Sequence, residues 1–468
     1  MSTRSWMDRA SLIGGPLLCA AILLAPTPDG LTVQGQAALA VMTLCMTWWL
    51  LTPVPLPVTS LAGLALLPAV GALPTADALA LFGNQAIFFV IGVFLVAAVM
   101  LRTGLSSRLS LLFLRRLAKS ESQLCNAVLL LSWASCLIVV SHAVAAMMLP
   151  IVLSIITALE LPARSRTARR LLLSMAWGTV AGSNLTLLSS ARASLSLELY
   201  GQYLTDSGLS AAPIGFLEYS LASAPISLVT VLICGAALAV VFPPEGLDLK
   251  PAVERLDQQV TALGRMSRGE WGTVAVVLGM LLSMGIAGPS WLGIVALLAS
   301  VATFALRIVT WEDAERYVNW GVVLMYGGAI AVGAALTRTG AISWLVDFIM
   351  PEHVAPMLVL LAVAAMVTLL TEVVSNSAAI TILLPVAMEL GMRVGITPRA
   401  MAMVAPIAAG FAFALPTSTP AIALVFGSGM VTMRDTVGPG TIVALMCLGV
   451  LVLSAWLLWP ILGLSVVI

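Results

Sequence analysis

The chain has 468 residues, a formal net charge of +1, 60% hydrophobic and only 9% charged residues, and a mean hydropathy of +1.08. This composition excludes an ordinary soluble domain and points to a protein built inside a lipid bilayer. The near-zero charge gives no support to nucleic-acid binding. Six cysteines (Cys19, Cys45, Cys125, Cys136, Cys234, Cys447) sit in apolar stretches without metal-binding spacing, so they read as small buried hydrophobes.

Apolar runs long enough to cross a hydrocarbon core of roughly 30 Å recur along the chain. They place spans at 10–26, 31–51, 55–73 and 84–101, then an amphipathic arm at 102–120 and a helical hairpin at 123–158. An interrupted span at 172–204 and a span at 217–242 follow, and the polar loop 243–270 is too short to be a domain. Spans resume at 271–287, 290–307 and 318–338, with a second arm at 341–350 and a second hairpin at 355–390. A second interrupted span covers 399–431 and a last helix 438–460. No small-residue cleavage site follows the first run, so residues 1–30 read as a retained N-terminal helix. The expected fold is an all-α polytopic membrane protein with about eleven transmembrane helices and two re-entrant hairpins.

The two halves echo each other. Asn84 to Gly104, ending Leu-Arg-Thr-Gly, is matched by Asn319 to Gly340, ending Thr-Arg-Thr-Gly. The polar clusters Ser141-His142 and Ser375-Asn376-Ser377 then interrupt apolar runs that continue to Pro150 and Pro385. The spacing from Gly104 to Pro150 equals that from Gly340 to Pro385 within one position. Residues 31–242 and 271–468 are thus read as two repeats, and five spans per repeat force the copies into opposite orientations. Inverted repeats with polar breaks mark secondary transporters. With the N-terminus in the cytoplasm, 18 of the 22 Lys and Arg fall on the inner side; Arg338, Arg393 and Arg399 fall outside and Arg192 within a span. That is the bias the positive-inside rule requires, and it places the protein in a cell membrane, here expected to be a bacterial inner membrane.

Bent backbone at membrane depth is tolerated only where protein buries it or where it lines a water-filled site. Ser375, Asn376 and Ser377, with Thr371 one turn earlier, offer oxygens at such a bend, where half-helix ends also present carbonyls and amides. Packing through small polar residues is the plainer reading. Two later spans break in corresponding places. Gly182-Ser-Asn-Leu-Thr-Leu-Leu-Ser-Ser-Ala-Arg192 interrupts the first and Leu415-Pro-Thr-Ser-Thr-Pro-Ala421 the second, where two prolines remove backbone donors. Paired broken helices point to a transport site; a proline kink with a packing role is the alternative.

The run Thr371-Glu-Val-Val-Ser-Asn-Ser377, Leu384-Pro385, Ala414-Leu-Pro-Thr-Ser-Thr-Pro420 and Val425-Phe-Gly-Ser-Gly429 resembles the divalent-anion:sodium symporter family. The likeness implies a homodimer in which a transport domain slides like an elevator against a scaffold. It also implies sodium as coupling ion and a dicarboxylate, tricarboxylate or sulfate as substrate, with no organic cofactor. On that resemblance Ser375 and Asn376 match the second Ser-Asn motif, and Ser418-Thr419-Pro420 matches a Thr-Pro-Pro region in which Ala421 replaces the second proline. Thr371, Asn376 and Ser418 are then sodium ligands, with Ser141 and Ser189 as first-half counterparts. Ser375, Asn376, Ser377 and Thr419, with Ser141, His142, Ser190 and Arg192, contact the anion. The first half departs from the pattern: an ungapped alignment from Pro150 puts Ser141 in the asparagine place and His142 in the threonine place, and a one-residue gap shifts both.

An arginine at bilayer depth is a functional hypothesis by default, and its forked donors suit a carboxylate or sulfate. A structural ion pair with Glu198, about two turns along a helix, is the alternative for Arg192. His142 reads as a neutral donor to the anion, a titrating proton carrier or a backbone cap. Glu372 reads as a proton acceptor or one half of an ion pair, Glu389 as a solvated charge, and Arg164 to Arg170 as a cytoplasmic anchor. The leading reading is a sodium-coupled anion symporter, followed by a proton-coupled carrier or anion exchanger using His142. An enzyme comes a distant third, because His142 and His353 are the only histidines and no nucleophile–base pair assembles. Neither a nucleotide loop nor a paired-histidine metal motif occurs.

Overall fold

In the computed structural model residues 3–349 and 354–467 are described, and among them the chain is built of helices. Met350, at the end of the second arm, and His353 lie outside the described residues. Among the described residues, seven helical segments are long and apolar enough to cross a membrane: Thr75–Thr103 (interrupted at Asn84), Ser141–Ala158, Phe216–Val241, Arg268–Ile286, Trp320–Arg338, Pro356–Val373 and Met433–Leu457.

The matched marks in the two halves become matched local structure. Asn84 and Asn319 each cap a helix, Gln85–Thr103 and Trp320–Arg338, by accepting from the amides of Ile87 and Val322. Gly104 and Gly340 then turn the chain at φ of 76° and 73°, a conformation that strains residues with a side chain. The arms Leu105–Leu117 and Ala341–Ile349 follow. Helix–turn–helix pairs come next, Glu121–Ser135 with Ser141–Ala158 and Pro356–Val373 with Asn376–Arg393. Pro150 and Pro385 fall the same number of positions after the starts of their second helices. The interrupted spans are Arg166–Gly182 with Ala191–Asp206, and Pro398–Ala408 with Pro420–Gly427.

The packing repeats the symmetry. In one group Gln85–Thr103 lies on Leu292–Ala305, as Trp320–Arg338 lies on Leu56–Ala69. Glycine permits both approaches: a Cβ on Gly92 would meet the Ala296 backbone, and one on Gly328 the Ser60 carbonyl. In the other group the broken helices cross reciprocally. Arg166–Gly182 packs on Pro420–Gly427, and Ala191–Asp206 packs on Pro398–Ala408. Each hairpin's second helix packs against the other half's broken helix, Ser141–Ala158 on Pro420–Gly427 and Asn376–Arg393 on Ala191–Asp206.

Several polar expectations are corrected. The segment 243–270 is not simply a loop: it contains helix Lys250–Ala262, which packs on the first arm and on Ser141–Ala158. Arg108, on the arm's basic face, is buried and donates to Glu270 at 2.5 Å and to the Gly264 carbonyl; Arg102 pairs with Asp313 and Arg115 with Asp257. Arg170 is buried too, beside Asn126 and the Phe242 carbonyl, while Arg169 pairs with Asp435 at 2.8 Å. Glu389 is not a solvated charge. It accepts from Tyr203 and Ser343 and pairs with Arg393.

Candidate functional site

Both hairpin turns and both helix breaks meet at one cavity of about 840 Å³. Ser141, His142, Ser190, Arg192, Ser375, Asn376, Ser377, Ser418 and Thr419 line it. Thr371 and Ser189 stand behind the wall, fully buried. The Thr371 hydroxyl donates to the Thr368 carbonyl at 2.9 Å and the Ser189 hydroxyl to the Cys136 carbonyl at 2.8 Å.

In both breaks side chains complete the backbone hydrogen bonding that the helices abandon. In the first break Ser189 Oγ accepts from the Thr186 amide at 2.9 Å and Thr186 Oγ1 from the Leu188 amide at 3.2 Å. The amide of Ser141 donates to the Ser189 carbonyl at 3.0 Å, which ties the first hairpin turn to this break. In the second break the work falls to Glu372. Its carboxylate accepts from the amides of Phe413, Ala414 and Leu415 at 2.9, 3.0 and 2.8 Å, and its own carbonyl accepts from the Thr417 hydroxyl. Charge-assisted bonds of this kind are the strong ones. Glu372 is thus a clamp between the second hairpin and the second break, where the sequence left open a proton acceptor or an ion-pair partner.

Arg192 is buried, and among the described residues all of its hydrogen bonds go to neutral groups. Nε donates to the Pro406 carbonyl at 2.8 Å, Nη1 to Ser190 Oγ at 2.8 Å, and Nη2 to Ser183 Oγ at 2.8 Å and Asn184 Oδ1 at 2.5 Å. Asn184 in turn donates to the Ile407 carbonyl and Thr368 to the Ala408 carbonyl, each at 3.0 Å. These three carbonyls end the half-helix Pro398–Ala408, so Arg192 and its neighbours cap a C-terminus where a cation is favoured. Gly410 makes this approach possible, since a Cβ there would strike both Arg192 and Asn184. The alternative ion pair with Glu198 is not formed, and among the described residues no carboxylate pairs with Arg192. A positive charge with no carboxylate counter-charge among the described residues therefore borders the cavity.

The hairpin turns present different chemistry. Ser375 caps its own helix by accepting from the Ala378 amide at 3.3 Å. Asn376 Oδ1 beside it is buried with no hydrogen-bond partner, an acceptor that a hard cation or a ligand donor would satisfy. Val140, in the equivalent place of the first turn, has no side-chain cap to offer. His142 packs edge-on against Phe94, ring centroids 5.6 Å apart, and lines the cavity without a hydrogen-bond partner among the described residues. Ser183, Asn184 and Thr368 were missed from sequence. The first two lie inside the polar run 182–192 that flagged the break, whereas Thr368 carries no local signal.

A family model described as "Sodium:sulfate symporter transmembrane region" matches residues 8–465. The sodium-dependent dicarboxylate transporter SdcS of Staphylococcus saprophyticus is 28% identical over 97% of this chain and 92% of its own length. A Staphylococcus aureus SdcS is 28% identical over 96% and 91%. Among solved structures, Neisseria gonorrhoeae MtrF, described as illuminating a class of antimetabolite efflux pumps, is similar with a TM-score of 0.58 at 12% identity, covering 96% of this chain and 94% of that one. At that identity the likeness concerns the fold alone. Matched over nearly its whole length, the chain belongs to the sodium:sulfate symporter family, the divalent-anion:sodium symporters, and is a membrane transporter rather than an enzyme.

Proposed function

We propose that the protein is a sodium-coupled symporter of a small anion, a dicarboxylate, tricarboxylate or sulfate, in a bacterial inner membrane with its N-terminus in the cytoplasm. One observation carries this reading. A buried guanidinium with no carboxylate partner and a buried, unpartnered amide oxygen, Arg192 and Asn376, line the same cavity. The first calls for an anion and the second for a cation. Ser190, Ser377 and Thr419 supply hydroxyls for the anion's remaining oxygens, and Ser418 adds an oxygen on the cation side. His142 serves as a neutral donor, because it rests on Phe94 and pairs with no acid among the described residues. The relatives, sodium-dependent dicarboxylate transporters, favour a dicarboxylate.

The two helix–turn–helix pairs act as re-entrant hairpins and the two halves as inverted repeats, so about eleven helices cross the membrane. The broken helices and hairpins form a transport domain that slides as an elevator against the group containing Gln85–Thr103 and Trp320–Arg338, within a homodimer. Purified protein in liposomes, given labelled succinate, citrate or sulfate under separate sodium and proton gradients, tests the reading. Sodium-driven accumulation is expected. Accumulation that ignores sodium, follows the proton gradient and is lost in His142→Ala would replace it with the proton-coupled reading.

A further inference from the structure

Glu198 is left over once the central cavity is accounted for. It lies one turn from Ser194 on helix Ala191–Asp206, so both point to the same side. Together they line a separate pocket of about 190 Å³ between this helix and the start of Gln85–Thr103. The other polar groups there are Gln85 and Ser290; the pocket is otherwise apolar and no basic side chain lines it. Glu198 makes no ion pair among the described residues, and the backbone of Ala86 is the one hydrogen-bonding group turned towards it. Glu198 is half-buried; a single amide offsets only part of a carboxylate's charge, and partial burial without a counter-charge is costly.

Ser194 is the second, independent sign. Its hydroxyl is 6% exposed and has no hydrogen-bond partner. Helical hydroxyls usually return their proton to the carbonyl four residues back, as Ser110, Thr205 and Ser220 do here. Ser194 does not. Gln85 Nε2 donates to the Pro289 carbonyl at 2.5 Å, so its amide oxygen stays available as an acceptor. A carboxylate, two hydroxyls and an amide oxygen in a small, mostly apolar pocket are ligands for a hard monovalent cation.

We propose that Glu198, Ser194, Gln85 and Ser290 form a second sodium site, distinct from the cavity that holds Arg192 and Asn376. Sodium there neutralises Glu198 in the state in which the broken helix lies against Gln85–Thr103, and leaves when the two slide apart.

The test is equilibrium binding of radioactive sodium to purified protein, with wild type, Asn376→Ala, Glu198→Gln and the double variant compared. Asn376→Ala should retain saturable binding, and Glu198→Gln should remove one class of bound ion by weakening it at least tenfold. The double variant should lose both classes. Ser194→Ala, the milder change if Glu198→Gln fails to fold, should weaken the same class roughly three- to tenfold, the scale of one lost neutral contact. Unchanged sodium binding in the Glu198 and Ser194 variants would overturn the proposal, as would loss of all sodium binding in Asn376→Ala alone. Sodium binding indifferent to Asn376→Ala would instead count against the central-cavity reading and leave this one standing.

Discussion

The two halves of the cavity occupy equivalent places in the fold yet solve the problem of broken helices in opposite ways. The first break is held by its own hydroxyls and by an arginine that reaches the other half's helix end; the second is held by a carboxylate from the adjacent hairpin. The hairpin turns differ in the same sense. In the second, Ser375 caps the helix and frees the Asn376 oxygen, whereas in the first Val140 cannot cap and His142 leans on Phe94. On the proposed reading the difference is a division of labour: the first half turns its positive charge to the anion and the second its unpartnered Asn376 oxygen to the cation, while hydroxyls of both halves face the anion. Common geometry does not impose common chemistry, because each backbone gap can be filled by whichever side chain is near.

Removing Arg192 should break this contrast most severely. Arg192→Ala uncaps Pro406, frees Ser183, Ser190 and Asn184, and deletes the charge. Each buried acceptor left unpaired costs about 1–3 kcal/mol, so uptake should fall below detection and the melting temperature of the purified protein should drop. Asn376→Ala comes next. Sodium half-saturation of uptake should rise at least tenfold, about 1.4 kcal/mol, with a smaller change in substrate KM at saturating sodium.

Glu372→Gln sharpens the comparison by keeping the shape of the clamp while removing one acceptor. A buried amide left unpaired costs about 1–3 kcal/mol, so a lowered melting temperature and reduced maximal uptake are expected, with Glu372→Ala worse. His142→Gln should be mild, about a fivefold rise in substrate KM for one lost neutral hydrogen bond of about 1 kcal/mol, with sodium dependence unchanged. A steep change in the pH profile of uptake would contradict the neutral role.

The smallest effect concerns Glu245, in the polar segment after Phe216–Val241. Burial opposes its ionisation, but the hydroxyls of Ser165 and Thr167 and the amides of Thr167 and Arg166 hold its carboxyl at about 2, below its usual 4.5. A depressed folded-state value contributes stability that is complete above pH 4.5 and is lost as pH falls towards 2. Melting curves from pH 7 to pH 3 should therefore show a shallower acid-side decline in Glu245→Gln than in wild type.

Much of this was legible in the sequence, since apolar runs, capping asparagines, turning glycines and polar breaks are local signals. Nine of the eleven expected site residues line one cavity, because the run that breaks a helix is also the run exposed at the break. Which way a hydroxyl faces was not legible. Ser189 and Ser190 are neighbours, yet one bonds backward to Cys136 and the other meets Arg192. Glu372, Thr368 and Glu389 were misread or missed because their partners, Phe413 to Leu415, Ala408 and Tyr203, lie far along the chain. The interior arginines near the chain's polar segments looked like topology signals alone for the same reason.

The division of labour is tested most directly by measuring sodium binding and succinate binding separately in Asn376→Ala and Ser190→Ala. Sodium affinity should fall at least tenfold in the first variant and stay unchanged in the second, while succinate affinity at saturating sodium should fall mainly in Ser190→Ala. Equal loss of both ligands in both variants, or the reverse assignment, would contradict the account.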